Sequence, residues 1–171
     1  GQEFGNTIQY RYPGDDYRDL MSAVDYVIAK GYIDEQRMGV TGGSGRGLLT
    51  YWVIAHTHRF AAAITQRCVS EWMTMWYSSD FAMFMPYWFR KPPYEDPMEY
   101  AQRPPITLAA KIETPLMVIH SEEDWRTPIN QGEAMFRALL ARKKPVVMVR
   151  FPGENHELSR SGTPSRRVQN Q

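Results

Sequence analysis

Thr41-Gly42-Gly43-Ser44-Gly45-Arg46-Gly47 is the stretch on which the reading of this chain turns. A short apolar run, Met38-Gly39-Val40, leads into it, and an apolar, helix-like segment from Leu48 to Ala55 follows. A serine among small residues at a strand-to-helix turn has its hydroxyl pushed above the sheet. The flanking glycines allow strained backbone angles and close packing. Ser44 is therefore a candidate nucleophile. Gly-Ser turns are common, so the inference depends on what comes later in the chain. An acid and then a histidine are needed, each in a loop after a later strand.

Both are present. Pro115-Leu116-Met117-Val118-Ile119 reads as a buried strand and runs into Ser121-Glu122-Glu123-Asp124-Trp125-Arg126-Thr127-Pro128. Val146 to Phe151 reads as the next strand and runs into Pro152-Gly153-Glu154-Asn155-His156-Glu157. Glu122, Glu123 and Asp124 are all candidates for the acid, and His156 for the base. The chemistry asks for this set. A serine hydroxyl is a poor nucleophile at neutral pH, so an imidazole must take its proton. A carboxylate must then fix the imidazole's tautomer and stabilise its charged form.

The remaining elements fit around these loops. Asp15 or Asp16 can cap a helix whose apolar positions run from Tyr17 to Ile28, with Gly31 at its stop. Residues 1–14 show no clear period and read as an irregular lead-in. Met38–Gly42, Phe60–Gln66, Pro115–His120 and Val147–Phe151 make four strands. Thr127-Pro128 forms a cap and first turn for an amphipathic helix that ends near Lys144-Pro145. Strands alternating with helices predict an α/β fold, a mostly parallel sheet of about four strands with helices on both faces.

Five stretches carry a resemblance: DYRDLMSAVDYVIAKGYID, RMGVTGGSGRG, HRFAAAITQRCVSEW, IETPLMVIHSEEDWRTPINQGEAMF and VRFPGENHELSR. They are similar to the catalytic domain of the prolyl oligopeptidase family of serine peptidases, in its acylaminoacyl-peptidase-like branch. The resemblance implies an α/β-hydrolase fold, here a partial one. It places the nucleophile at Ser44, the acid at Asp124 and the base at His156, leaving Glu122 and Glu123 to a solvated loop face. It implies hydrolysis of peptide or carboxylic ester bonds through an acyl-enzyme, on a small ester or short peptide, with no cofactor and no metal. The backbone N–H of Gly45 is expected in the oxyanion hole. Two departures stand out. Arg46 takes a position where the family usually has glycine. The family's domain also carries several strands, and a loop giving a second oxyanion donor, ahead of the residues matched here. The chain is thus expected to be a single, truncated catalytic domain over residues 1–171, with the strand before Ser44 left as an edge.

Composition narrows the alternatives. A net charge of +1 gives no reason to expect a nucleic-acid partner or an acidic membrane surface. No stretch reaches the roughly 20 apolar residues of a membrane span, and no signal-peptide pattern opens the sequence. The one cysteine, Cys68, excludes an internal disulfide framework and fits a reducing, cytoplasmic setting. It ends an apolar run and reads as a packed thiol. His56 and His58 end the helix after Ser44. Their spacing could suggest a metal pair, but no Asp, Glu or Cys cluster accompanies them, so helix-end capping is preferred. His120 reads as a packed or loop-bonded residue.

Residues 69–111 stand apart as a pocket- or lid-like insertion, dense in aromatic residues and methionine from Trp72 to Tyr94. Insertions at the carboxyl ends of strands build pocket walls in this fold class. Trp72, Trp76 and Tyr77 are the candidate substrate-binding residues, with plain packing as the alternative. The bare edge and these apolar side chains predict a homo-oligomer. A second class of function stays open: a non-catalytic remnant that serves as a self-association module.

Overall fold

Four strands alternate with helices in the computed structural model, which describes residues 1–158 together with Ser165 and Val168. Ser159 and Arg160, which end the VRFPGENHELSR stretch, lie outside the described residues. The strands are β1 (Gly39–Gly43), β2 (Ala62–Gln66), β3 (Leu116–Ser121) and β4 (Val146–Phe151). All pairs are parallel, and the spatial order is β1-β2-β3-β4. Each strand is therefore followed by a crossover, which brings every strand's carboxyl end to the same edge of the sheet.

The alternation of side chains along the strands decides where the core lies. Ala63 pairs in register with Leu116, and Thr65 with Val118; all four are buried. Against them pack Tyr51, Ile54 and Ala55 of α3 (Gly45–His56) and Met135 and Leu139 of α6 (Asn130–Ala141). Cys68, Ala109 and Ile112 complete this cluster. Burial raises the Cys68 thiol pKa to about 11, which fits a packing role. On the opposite face Ile64 and Val147 are exposed. The four-strand parallel α/β sheet is as expected, and among the described residues the packed core sits on the face that α3 and α6 cover. β1 pairs with β2 alone among them, so the strand before Ser44 is an edge, as expected.

The lead-in is more ordered than its sequence suggested. It holds α1 (Gln2–Asn6) and then buried Tyr12, whose hydroxyl donates a hydrogen bond to the Gly45 carbonyl. α2 (Asp15–Ile28) has the predicted length, with Gly14 as its capping residue. Its helical period is right, yet none of its residues is buried.

Between β2 and β3 the chain forms α4 (Trp72–Ser78), a 3-10 helix at Ala82–Tyr87, α5 (Pro97–Ala101) and a second 3-10 helix at Pro105–Lys111. A second apolar cluster joins Trp72, Met75, Met85, Phe89 and Tyr100 to Tyr12 and Leu48. The aromatic residues of this segment thus serve first as a core of their own. No helix among the described residues is long and apolar enough to cross a membrane.

Candidate active site

Ser44 stands between β1 and α3 with φ 57° and ψ −126°. A side chain at positive φ is unusual and is held only where surrounding contacts over-determine it. The Ser44 N–H donates to the Gln66 carbonyl at 2.9 Å, and the Ser44 carbonyl accepts from Gly47 and Leu48. A Cβ on Gly42 would lie 2.3 Å from the Arg46 carbonyl oxygen, and one on Gly47 would lie 2.5 Å from Cys68 Cβ. The glycines are there because the turn closes on itself. Arg46 itself is exposed and lines a cavity beside Ser44.

The loops after β3 and β4 bring the other two groups to this turn. They are tied to each other: Glu122 N–H donates to the Phe151 carbonyl, and Glu123 N–H to the Glu154 carbonyl. His156 Nε2 lies 3.1 Å from Ser44 Oγ. Its Nδ1 lies 2.8 Å from Asp124 Oδ2 and 3.0 Å from Oδ1. An ionised carboxylate only accepts, so Nδ1 carries the proton and Nε2 presents its lone pair to the serine. The structure brings Ser44, Asp124 and His156 into one hydrogen-bonded line. Glu122 and Glu123 are exposed, and Glu122 pairs with Arg150 instead.

Asp124 is buried and well held. Its Oδ1 accepts from the N–H groups of Arg126 at 3.0 Å and Thr127 at 2.9 Å. The Thr127 hydroxyl lies 2.9 Å from the Arg67 carbonyl and 3.0 Å from Asp124 Oδ2. Burial works against the carboxylate's charge. The hydrogen bonds from His156 and the Thr127 amide outweigh it and hold the pKa below the usual carboxylate value. Thr127 was expected to cap a helix; α6 starts only at Asn130 because Thr127 is committed to the acid's turn. The signal was present in the sequence. A short aspartate accepting from the second and third following amides is a common turn device.

Gly45 opens α3, so its N–H has no acceptor within the helix. A cavity of about 590 Å³ adjoins it. Ser44 and His156 line this cavity with Val69, Trp72, Met75 and Met85. Trp72 lines the cavity. Trp76 and Tyr77 are not among the lining residues: Trp76 packs on the second apolar cluster and edge-on to Tyr77 and Tyr94, and Tyr77 is exposed. α4 turns about 100° per residue, which aims positions 72 and 75 inward and 77 outward. Arg126, which the sequence reading passed over, also lines the cavity. It pairs with Asp80 at 2.6 Å and lies over the Phe81 ring.

The other histidines sit elsewhere. His56 Nδ1–H donates to the Trp52 carbonyl at 2.7 Å and the ring stacks near Trp52; His58 is exposed. No group of three or more His, Cys, Asp or Glu side chains among the described residues could hold a metal ion.

The prolyl oligopeptidase family model matches residues 1–171. An uncharacterised peptidase of Bacillus subtilis, YuxL, is 44% identical over 170 residues, 98% of this chain and 26% of that protein. Dipeptidyl-peptidase 5 of Porphyromonas gingivalis is 33% identical over 162 residues, 91% of this chain and 24% of that protein. Among solved structures, the acylaminoacyl peptidase of Pyrococcus horikoshii superposes with a TM-score of 0.92 at 27% identity, over 99% of this chain and 28% of that one. The chain therefore spans about a quarter of the length of the relatives it matches.

Proposed function

The chain belongs to the prolyl oligopeptidase family, and from that premise we propose that it is a serine hydrolase which cleaves peptide or carboxylic ester bonds through an acyl-enzyme. The observation that carries this reading is the line Asp124–His156–Ser44, with contacts of 2.8 Å and 3.1 Å, at a serine held at positive φ. Ser44 Oγ attacks the carbonyl carbon while His156 Nε2 takes its proton. Asp124 stabilises the imidazolium that forms, staying ionised itself. The oxyanion develops where the Gly45 N–H points, at the start of α3. The imidazolium then returns its proton to the leaving group, and water repeats the cycle on the acyl-enzyme. The cavity between Ser44 and α4 takes the acyl side. Its wall of Trp72, Met75, Met85 and Val69 suits an apolar or aromatic group on a small ester or short peptide.

Labelling with a fluorophosphonate tests this, since the probe reacts only with an activated serine. Label is expected on Ser44 and nowhere else. Ser44→Ala is expected to abolish it and to lower turnover of an activated aryl ester about a thousandfold or more, with the fold retained. Absence of label on the folded chain would favour the non-catalytic association module instead.

A further inference from the structure

His120 lies in β3, on the strand that leads to the acid, and its side chain is wholly buried. A core-facing strand position beside Val118 ordinarily takes an aliphatic residue; an imidazole there must place its polar atoms. Its Nε2 is 2.7 Å from the Thr127 carbonyl. A carbonyl only accepts, so Nε2 carries the proton and Nδ1 is bare. Nδ1 is buried without a hydrogen-bond partner among the described residues. α6 closes on this side of the ring, for a Cβ on Gly132 would stand 2.6 Å from Nδ1. The ring is thus clamped between α6 and the acid's turn, with a single polar task.

That task concerns Thr127, whose own N–H donates to Asp124 Oδ1 and whose hydroxyl adjoins Oδ2. His120 Nε2 itself is 3.7 Å from Asp124 Oδ2, too far for a hydrogen bond. The path runs instead from His120 to the Thr127 carbonyl, through Thr127 to Asp124, and on to His156. We infer that His120 is a positioning residue for the Asp124–His156 pair: it holds the Asp124–Thr127 turn so that the carboxylate meets His156 Nδ1. Burial favours its neutral form, although the Thr127 carbonyl and Asp124 pull the other way. Asp124, His156 and Glu133 of α6 are the titratable groups that act on it. A neutral ring leaves the charge of Asp124 to His156. This inference rests on the hydrolase reading for its kinetic test, and has a second test that does not.

His120→Gln keeps an N–H at the right reach, whereas His120→Leu removes it. His120→Leu is expected to lower kcat about tenfold or more, with KM little changed, because small displacements of a catalytic group are costly. The acidic limb of kcat/KM is expected to move to lower pH, since a displaced Asp124 stabilises the imidazolium less. His120→Gln should recover kcat to within about threefold of the parent. The low-field proton resonance of the Asp124–His156 hydrogen bond reads the same geometry without substrate. It should shift or broaden in His120→Leu and return in His120→Gln, whether or not Ser44 labels. Ring-nitrogen NMR shifts of the unmutated chain need no variant at all and should show His120 protonated on Nε2 alone. Unchanged kcat in both variants would overturn the inference. So would a loss of activity that only follows the folded fraction, with the acidic limb and the low-field resonance unmoved. A charged His120, or one protonated on Nδ1, would overturn it as well.

Discussion

Ser44 is held at φ 57° by what its neighbours lack. Gly47 is the clearest case. An added methyl would meet Cys68 Cβ at 2.5 Å and the Gly42 carbonyl oxygen at 3.1 Å, between a helix and the segment leaving β2. Neither neighbour is the loose end of a side chain. Gly47→Ala is expected to cost about 1–3 kcal/mol, the range for over-packed sites. It should also displace Ser44, so that turnover falls by more than the folded fraction does. Urea unfolding and ester kinetics on the same preparation decide it; unchanged stability would show that the turn is looser than its geometry. Arg46 teaches the converse. At the family's usual glycine position an arginine is accommodated because that site is exposed here, whereas Gly47, one residue on, is buried. The spacing of glycine and serine made the turn legible in the sequence. Which glycine closes on what was not, because that depends on Cys68, twenty-odd residues away and just past β2.

At the scale of elements, the insertion between β2 and β3 is tied to α6 at its start by Gln131. Gln131 is buried, and its Oε1 accepts the N–H groups of Ser70 at 3.1 Å and Glu71 at 2.9 Å. Ser70 Oγ donates back to the Gln131 carbonyl, and the Glu71 carboxylate caps α4 through Met73 N–H. Gln131→Leu keeps the bulk and leaves two amides without their acceptor. A loss of about 1–3 kcal/mol is expected, the range for stranding a buried polar group. Faster hydrogen exchange should appear at Ser70 and Glu71 rather than across β3. A stability within error of the parent would show that other contacts hold the insertion. The four strands, α3 and the body of α6 were legible because their periods and their Gly and Pro boundaries agree. The insertion was not. Its helices are short, its aromatic residues follow no period, and Glu71 is not among the preferred capping residues. Trp72, Trp76 and Tyr77 could not be told apart as cavity-lining residues without the helix's rotation. Tyr12 gave no signal at all, since its contact with Gly45 joins an irregular segment to a turn.

For the molecule as a whole, the decisive feature is what β1 and α2 leave uncovered. β1 has a partner on one side only among the described residues. Leu20 and Val27 of α2 are exposed, and cavities of about 640 and 700 Å³ lie along α2, β1 and Phe60. The sequence expectation of association leaned also on the Trp- and Met-rich segment. That part of the motive holds only in part: Trp72, Met75 and Met85 are buried, while Met83, Phe84 and Tyr87 are exposed. The edge and the α2 face carry the larger part of the argument. Unpaired strand edges and contiguous apolar faces favour pairing with another chain. Residues 1–14 do not remove the edge: Phe4 and Ile8 line the larger cavity, but no strand there pairs with β1. The chain on its own is therefore expected to associate as its concentration rises. Sedimentation over a hundredfold range of about 1–100 μM is a suitable reading for contacts of modest affinity. Leu20→Lys with Val27→Lys should return it towards monomer without unfolding it, since both side chains are already exposed and leave no cavity behind. A clean monomer at the highest concentration would refute the expectation. Association that survives both lysines would move the contact to another exposed apolar surface, either the Ile64 and Val147 face of the sheet or the stretch of Met83, Phe84 and Tyr87.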